Sequence, residues 1–128
     1  MATRILLADD SPLMRKELRR LLEQNPGWKI CGEAVDGRDA IDKVEELEPD
    51  LIVLDLAMPR LNGLEAAREI AKHFCTIPML ICTMYASPQL VEEARNAGVR
   101  GIVSKAEVAR LVNGIEALLR NETFFVEF

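Results

Sequence analysis

The stretch Leu51-Ile52-Val53-Leu54-Asp55-Leu56-Ala57-Met58-Pro59-Arg60-Leu61-Asn62-Gly63 carries the reading of the fold. Four apolar residues in a row end in a carboxylate, and the chain then passes through a turn marked by Pro59 and Gly63. An uninterrupted apolar run of this length is the pattern of a strand buried on both faces, as in parallel sheets covered by helices. Asn62 stands where a helix N-cap belongs. Leu64, Ala67, Ala71 and Phe74 follow at spacings of three and four, which gives a helix one apolar face.

The same strand-then-helix alternation extends in both directions. Residues 5–8, 77–82 and 101–103 are short apolar runs, and residues 29–35 read as a more polar strand with Gly32 and Glu33 inside it. Between them Met14, Leu18 and Leu21, then Ala40, Ile41, Val44 and Leu47, then Leu90, Ala94 and Ala97 have helical spacing. Val108, Leu111, Val112, Ile115 and Leu119 end the series. Ser11-Pro12 and Ser87-Pro88 each place a capping hydroxyl before a proline at the first helical position. Gly98 falls where a left-handed residue closes a helix. Strands alternating with helices predict an α/β, flavodoxin-like, doubly wound (βα)5 domain with a parallel sheet of order 2-1-3-4-5. The polar second strand and the short fifth strand suit its edges.

At 128 residues the chain is long enough for one domain and too short for two. No apolar run approaches the roughly 20 residues that span a bilayer, and the N-terminus lacks a signal-peptide pattern, so a cytoplasmic protein is expected. The formal charge of −5 argues against direct binding to nucleic acid or anionic membrane, and suits a surface that holds a divalent cation or recruits a protein. Cys31, Cys75 and Cys82 are odd in number and without metal-ligand spacing, which predicts reduced, buried structural thiols.

Ligands of doubly wound sheets bind beyond the carboxyl ends of the strands. The residues at those ends are Asp9 and Asp10 after the first strand, Asp55 at the end of the third, Thr83 at the end of the fourth and Lys105 just after the fifth. Three carboxylates brought together repel, and keeping them ionised needs a cation. Hard oxygen ligands suit Mg²⁺, which completes its shell with water and phosphate oxygens. A carboxylate beside a metal can attack a phosphoryl group and form an aspartyl-phosphate, which makes Asp55 a candidate nucleophile. Transfer then needs charge neutralised on the equatorial oxygens, and Lys105 and the Thr83 hydroxyl are placed for that. The plainer reading is that Asp9-Asp10 starts a loop, with Asp10 helping to cap the first helix.

With these residues the chain resembles the receiver domain of response regulators, the phosphorylation switch of two-component systems. The resemblance rests on Asp9-Asp10, on Asp55 followed by Met58-Pro59 and Gly63, on Thr83, and on Gly101-Ile102-Val103-Ser104-Lys105. It implies phosphotransfer to Asp55 from a histidine kinase or a histidine phosphotransfer protein. It implies Mg²⁺ bound directly by Asp10, Asp55 and the Ala57 carbonyl, with Asp9 helping through water, and phosphoryl contacts from Thr83 and Lys105. It also implies that phosphorylation alters the surface of the fourth helix, fifth strand and fifth helix, where a homodimer would form. Residues 1–121 would be the receiver and residues 122–128 a tail or the start of a linker. The stretches at 81–87, 101–107 and 118–125 are similar to receivers whose output is a helix-turn-helix domain. Either a single-domain regulator or a fragment of a DNA-binding regulator fits.

Three positions depart from the family pattern. Ile102 stands where an aromatic ring usually swings inward, and an isoleucine, short and branched at Cβ, cannot make that movement. Tyr85 is the other aromatic near the site. Ala106 replaces the usual proline after the lysine, so no cis bond is expected there. Met84 is bulky and is expected to narrow access to Asp55. The basic residues of the first helix, Arg15, Lys16, Arg19 and Arg20, read as a solvated face or a docking face for the kinase. His73 lies away from the strand ends, Trp28 is expected to pack near the second strand, and the tail Phe124-Phe125-Val126-Glu127-Phe128 either folds back or meets a partner.

Three other functions bear on the same residues. A phosphatase or phosphotransferase would need an acid two residues beyond the nucleophile, where Ala57 stands, so no enzyme beyond self-phosphorylation and self-dephosphorylation is expected. A nucleotide or flavin binder would need a glycine-rich phosphate loop after the first strand, where Asp9-Asp10-Ser11-Pro12 stands. A receiver-like interaction domain acting without phosphate is the alternative that Ile102 and Ala106 keep open.

Overall fold

The apolar run Leu51–Leu54 is the middle strand of a parallel five-stranded sheet and is buried along its whole length. The computed structural model describes residues 2–125. In chain order these form β1 (Thr3–Ala8), α1 (Pro12–Leu22), β2 (Trp28–Ala34), α2 (Gly37–Leu47), β3 (Leu51–Leu54) and α3 (Gly63–His73). Then come β4 (Met79–Thr83), α4 (Pro88–Asn96), β5 (Gly101–Ser104), a short 3₁₀ turn (Lys105–Glu107) and α5 (Arg110–Leu119). The strand order β2-β1-β3-β4-β5 is the doubly wound order expected.

Alternation of side chains along each strand divides the core in two. Ile5, Leu7 and Val53 point to the face covered by α1 and α5, where Leu18, Leu111 and Ile115 meet them. Leu6, Ile52 and Leu54 point to the other face, against Val44 of α2, Ile70 of α3 and Ala94 of α4. The helices begin where the capping residues stand. The hydroxyls of Ser11 and Ser87 accept from the N–H of Met14 and Leu90. Asn62 and Glu65 satisfy each other's backbone N–H in a full capping box. Gly98 closes α4 at φ +91°, a conformation that a side chain would strain.

One irregularity has consequences for the site. Ile5 pairs with Ile30 but Leu6 pairs with Gly32, so Cys31 is an extra residue bulged out of the β1–β2 ladder. A bulge of one residue reverses the alternation beyond it. Ile30 and Glu33 therefore both lie on the α1 side, whereas strict alternation would turn Glu33 towards α2.

Several expectations need correction. The fourth strand runs from 79 to 83 and not from 77 to 82, and it ends at Thr83. The fifth helix is preceded by the 3₁₀ turn, because the Ser104 hydroxyl accepts from the Ala106 N–H and tightens the chain there. The outer edge of β5 is not free. Phe124 bridges to Gly101, with the Ile102 N–H donating to the Phe124 carbonyl and the Phe124 N–H donating to the Arg100 carbonyl, each at 2.9 Å. The guanidinium of Arg110 lies 5.3 Å from the Phe124 ring centroid and that of Arg95 lies 4.0 Å from that of Phe125. These first two residues of the aromatic tail thus fold back on the domain; residues 126–128 lie outside the described residues.

Cys82 is buried, Cys31 is half-buried, and Cys75 is exposed, against the expectation that all three are buried; all are free thiols. Burial pushes the Cys82 thiol up to about 12, which makes it inert. Trp28 is buried at the start of β2, and His73 is exposed in the last turn of α3. No helix of the described residues is long and apolar enough to cross a membrane.

Candidate functional site

Parallel strands all end on the same side of the sheet, so the residues after β1, β3, β4 and β5 meet there without any long-range design. Carboxylate oxygens of Asp9, Asp10 and Asp55 lie within 4.8 Å of one another. Asp9 and Asp55 are buried, at 2% and 6% exposure, and Asp10 is exposed at the rim. The Lys105 ammonium donates to Asp9 Oδ2 at 2.8 Å and stands 3.2 Å from Asp55 Oδ2. One ammonium thus meets the two dry carboxylates of a cluster of three.

Backbone bonds fix the two loops that carry the acids. The Asp55 N–H donates to the Ala8 carbonyl at 2.8 Å, and the Asp9 N–H donates to the Ala34 carbonyl at 3.0 Å. The Ser11 N–H donates to Asp9 Oδ1 at 2.9 Å. Gly63 is required by close approach: a Cβ there would collide with the Asp55 carbonyl oxygen, and the Gly63 N–H donates to the Leu56 carbonyl at 2.9 Å. Ala57, whose side chain contributes nothing polar, is exposed in this turn and offers a backbone carbonyl.

Electrostatics follow from this packing. Burial pushes the Asp55 carboxyl up from its ordinary value, the charge of Asp9 adds to this, and Lys105 opposes both. Burial works against the Lys105 ammonium, yet its bond to Asp9 and the charge of Asp55 outweigh that and raise its pKa. The Thr83 side chain is fully buried, and its Oγ1 accepts from the Tyr85 N–H at 3.1 Å, which leaves the hydroxyl hydrogen for another partner.

The structure brings Asp9, Asp10, Asp55 and Lys105 together at the carboxyl end of the sheet, and Thr83 is the last residue of β4. The family-pattern departures are resolved in detail. Ile102 is completely buried, while Tyr85 and Met84 are 66% and 62% exposed. The Tyr85 ring therefore does not occupy the interior position that Ile102 holds. The Lys105–Ala106 bond is trans, as Ala106 predicts.

The reading of α1 as a solvated basic face holds for Lys16 and Arg20 and fails for Arg15 and Arg19. Both of the latter bind Glu33, with Arg15 Nε to Oε1 at 2.8 Å and Arg19 Nη2 to Oε2 at 2.8 Å. A second pair joins Asp36, the N-cap of α2, to Arg60 in the loop after β3, with Nη2 2.7 Å from Oδ2. The signal that would have found the first is a carboxylate inside a strand whose polar neighbours were read only as marking an edge.

A family model described as the response regulator receiver domain matches residues 5–116. The chain belongs to this receiver-domain family. The chemotaxis protein CheY of Thermotoga maritima is 34% identical over 105 residues, which is 82% of this chain and 87% of CheY. The transcriptional regulatory protein PdtaR of Mycobacterium tuberculosis is 38% identical over 114 residues, or 88% of this chain; the chain spans 55% of PdtaR's length. Among solved structures, a LuxR-family two-component response regulator from Aurantimonas sp. SI85-9A1 superposes with a TM-score of 0.93 at 37% identity, covering 97% of this chain and 89% of that one. The isolated receiver domain of RcsB from Salmonella enterica, solved with phosphomimetic BeF₃⁻, gives a TM-score of 0.89 at 25% identity, covering 99% of this receiver and 95% of that chain. Receiver domains of response regulators work in phosphorylation-dependent signalling, and the acidic cluster of this receiver offers the donors for a metal ion.

Proposed function

We propose that this receiver accepts a phosphoryl group on Asp55 from a histidine kinase or histidine phosphotransfer protein, with Mg²⁺, and changes its interaction surface in response. The observation that carries the reading is the convergence of Asp9, Asp10 and Asp55 with one ammonium, Lys105, against two of them. The donor set fits the ion: hard oxygens, an excess of negative charge, and an exposed side through Asp10 for water and phosphate. Asp10, Asp55 and the Ala57 carbonyl would hold Mg²⁺ directly and Asp9 through water; once bound, the ion neutralises charge on the phosphoryl oxygens.

Asp55 supplies the attacking oxygen. Its O–P bond forms as the donor's P–N bond breaks, and the departing imidazole keeps the electron pair and takes a proton from solvent. Lys105 neutralises a second phosphoryl oxygen, and Thr83 donates its hydroxyl hydrogen to a third. Water later attacks the phosphorus, the Asp55 O–P bond breaks, and inorganic phosphate leaves as the carboxylate is restored. The position two beyond the nucleophile, where an acid for outside substrates would stand, holds Ala57, so this reading makes the chemistry self-directed.

Residues 1–121 form the receiver in this reading, with 122–128 as a tail or the start of a linker, and the protein acts in the cytoplasm without binding nucleic acid through this domain. A second copy would meet the α4–β5–α5 face, which Phe124 borders. With Ile102 in place of the inward-swinging aromatic, the change reaches that face through β5 itself.

The test is intact mass after incubation with acetyl phosphate or a phosphorylated kinase. Gain of one phosphoryl group, absent without Mg²⁺ and in Asp55→Asn, is the expected result. No gain with any donor favours an interaction domain that acts without phosphate, and steady release of product from varied phosphate esters favours an enzyme.

A further inference from the structure

Arg15 connects three elements through one planar group. Its Nε donates to Glu33 Oε1 of β2 at 2.8 Å, and its Nη1 donates to the backbone carbonyl of Asp9 at 2.7 Å. The side chain is only 14% exposed, unusual for an arginine in the first turns of a surface helix. Arg19, one turn further on, holds the other oxygen of Glu33 with Nε at 3.0 Å and Nη2 at 2.8 Å. Glu33 reaches the α1 side only because the bulge at Cys31 reverses the alternation of β2.

The carbonyl that Arg15 holds belongs to the peptide joining Asp9 to Asp10. The N–H of Asp9 is already bonded to Ala34, so the guanidinium completes the clamp on that residue. Asp10 lies beyond this peptide on the rim, and the orientation of the peptide sets the direction in which Asp10 leaves the backbone. We infer that Arg15, oriented by Glu33, is a positioning residue that aims the Asp9–Asp10 pair at the metal and phosphoryl site. This rests on the proposed Mg²⁺ site.

Charge alone predicts the opposite effect. Arg15 is a cation close to a site for a cation, so removing it would tighten Mg²⁺ binding if only Coulomb repulsion mattered. Positioning predicts weaker binding. Loss of an outer partner of a metal ligand commonly weakens binding about 10- to 100-fold. Lysine keeps the charge but lacks the planar fork that serves both acceptors, so Arg15→Lys weakens binding as well.

Calorimetric titration with Mg²⁺ alone, without a phosphodonor, reads this directly for wild type, Arg15→Gln, Arg15→Lys, Glu33→Gln and the exposed-cation control Lys16→Gln. Both Arg15 variants are expected to bind at least about tenfold more weakly, Glu33→Gln to fall between, and Lys16→Gln to match wild type or bind slightly more tightly. Acetyl phosphate labelling then separates positioning from folding: the Mg²⁺ concentration at half-maximal rate rises about tenfold, while the rate at saturating Mg²⁺ stays within about twofold. Should Arg15→Gln fail to fold, Arg15→Lys and Glu33→Gln carry the test. Variants that bind Mg²⁺ as tightly as wild type, or more tightly, overturn the role of Arg15 and leave the site standing. A wild-type protein that binds no Mg²⁺ overturns the site itself and the role with it.

Discussion

Lys105 donates its ammonium to Oδ2 of Asp9 at 2.8 Å, a bond that joins residues ninety-six positions apart and ties the end of β5 to the end of β1. The same ammonium lies 3.2 Å from Asp55, and both acids are nearly dry. Without a bound metal it is the cation in contact with both. Its removal leaves two buried like charges facing each other, a change that typically costs about 3–5 kcal/mol.

Lys105→Met is therefore expected to lower the unfolding midpoint sharply in EDTA and to recover much of the loss in Mg²⁺. The rise in midpoint on adding Mg²⁺ should be larger in the variant than in wild type. Thermal melts with and without the ion measure it, and equal rises in the two proteins would show that Lys105 does not screen the acidic cluster.

Asp55 carries a stability cost of its own. Its folded pKa is raised, by burial first and by Asp9 second, with Lys105 in opposition. A carboxyl whose folded pKa exceeds its unfolded value holds its proton more tightly when folded. Stability is thus lost as the pH rises from the unfolded pKa through the folded one, and the loss is complete at neutral pH. Asp55→Asn should melt higher than wild type at pH 7 in EDTA, by on the order of 1 kcal/mol or about 3–5 °C. The difference should close as the pH falls towards about 3. A variant that melts lower than wild type at pH 7 would mean that the bond to Lys105 outweighs the repulsion.

The strand-end residues were legible because parallel topology converts sequence position into spatial position. Asp9, Asp55, Thr83 and Lys105 each stand at the carboxyl end of an apolar run, and every such end faces one side. Glu33 and Arg15 were not legible in this way. Their contact depends on the bulge at Cys31, which Gly32 inside the run Lys29-Ile30-Cys31-Gly32-Glu33 permits but does not place, and without which Glu33 would face α2. β5 is the edge strand its shortness suggests, but the bridge that covers part of that edge was not legible. A short strand suits an edge, but Thr123 and Phe124 form no apolar run that periodicity could detect, so the bridge to Gly101 rests on a single residue. The 3₁₀ turn at Lys105–Glu107 was hidden because three residues are too few to show a period before Val108 and Leu111 open the helical spacing.

Two ion pairs predict the acid limb of stability. Asp36 is lowered by the hydrogen bond from the Asp39 N–H, against burial and with help from Arg60. Burial works against ionised Glu33, but its bonds to Arg19 and Arg15 prevail and lower it too. Folded values below the unfolded ones contribute stability that is present above the unfolded pKa and is lost as the pH falls through the folded pKa. Urea midpoints of wild type should therefore drop below about pH 4, the ordinary carboxyl range. Asp36→Asn, which can still cap α2, and Glu33→Gln should be less stable than wild type at neutral pH and converge with it in acid. Curves that run parallel across the whole range would remove both pairs from the account.

The pairing of Phe124 with β5 makes the last prediction. Ile102, whose side chain fills the interior position where relatives carry the mobile ring, donates its own N–H to the Phe124 carbonyl. Phe124 also packs beside Gly114 of α5, where an added Cβ would come within 3.1 Å of its ring. Phe124→Ala deletes a half-buried ring and its contact with Arg110, and should cost about 1–2 kcal/mol, less than the 3–5 typical of a fully buried phenylalanine. The loss should be local. Amide exchange at Ile102 should accelerate about tenfold or more, towards that of an open strand edge, while amides in the central strand β3 stay protected to the global limit. If Ile102 remains as protected as β3 in the variant, the segment does not close the β5 edge. A change at Asp55 would then have to reach the surface by another route.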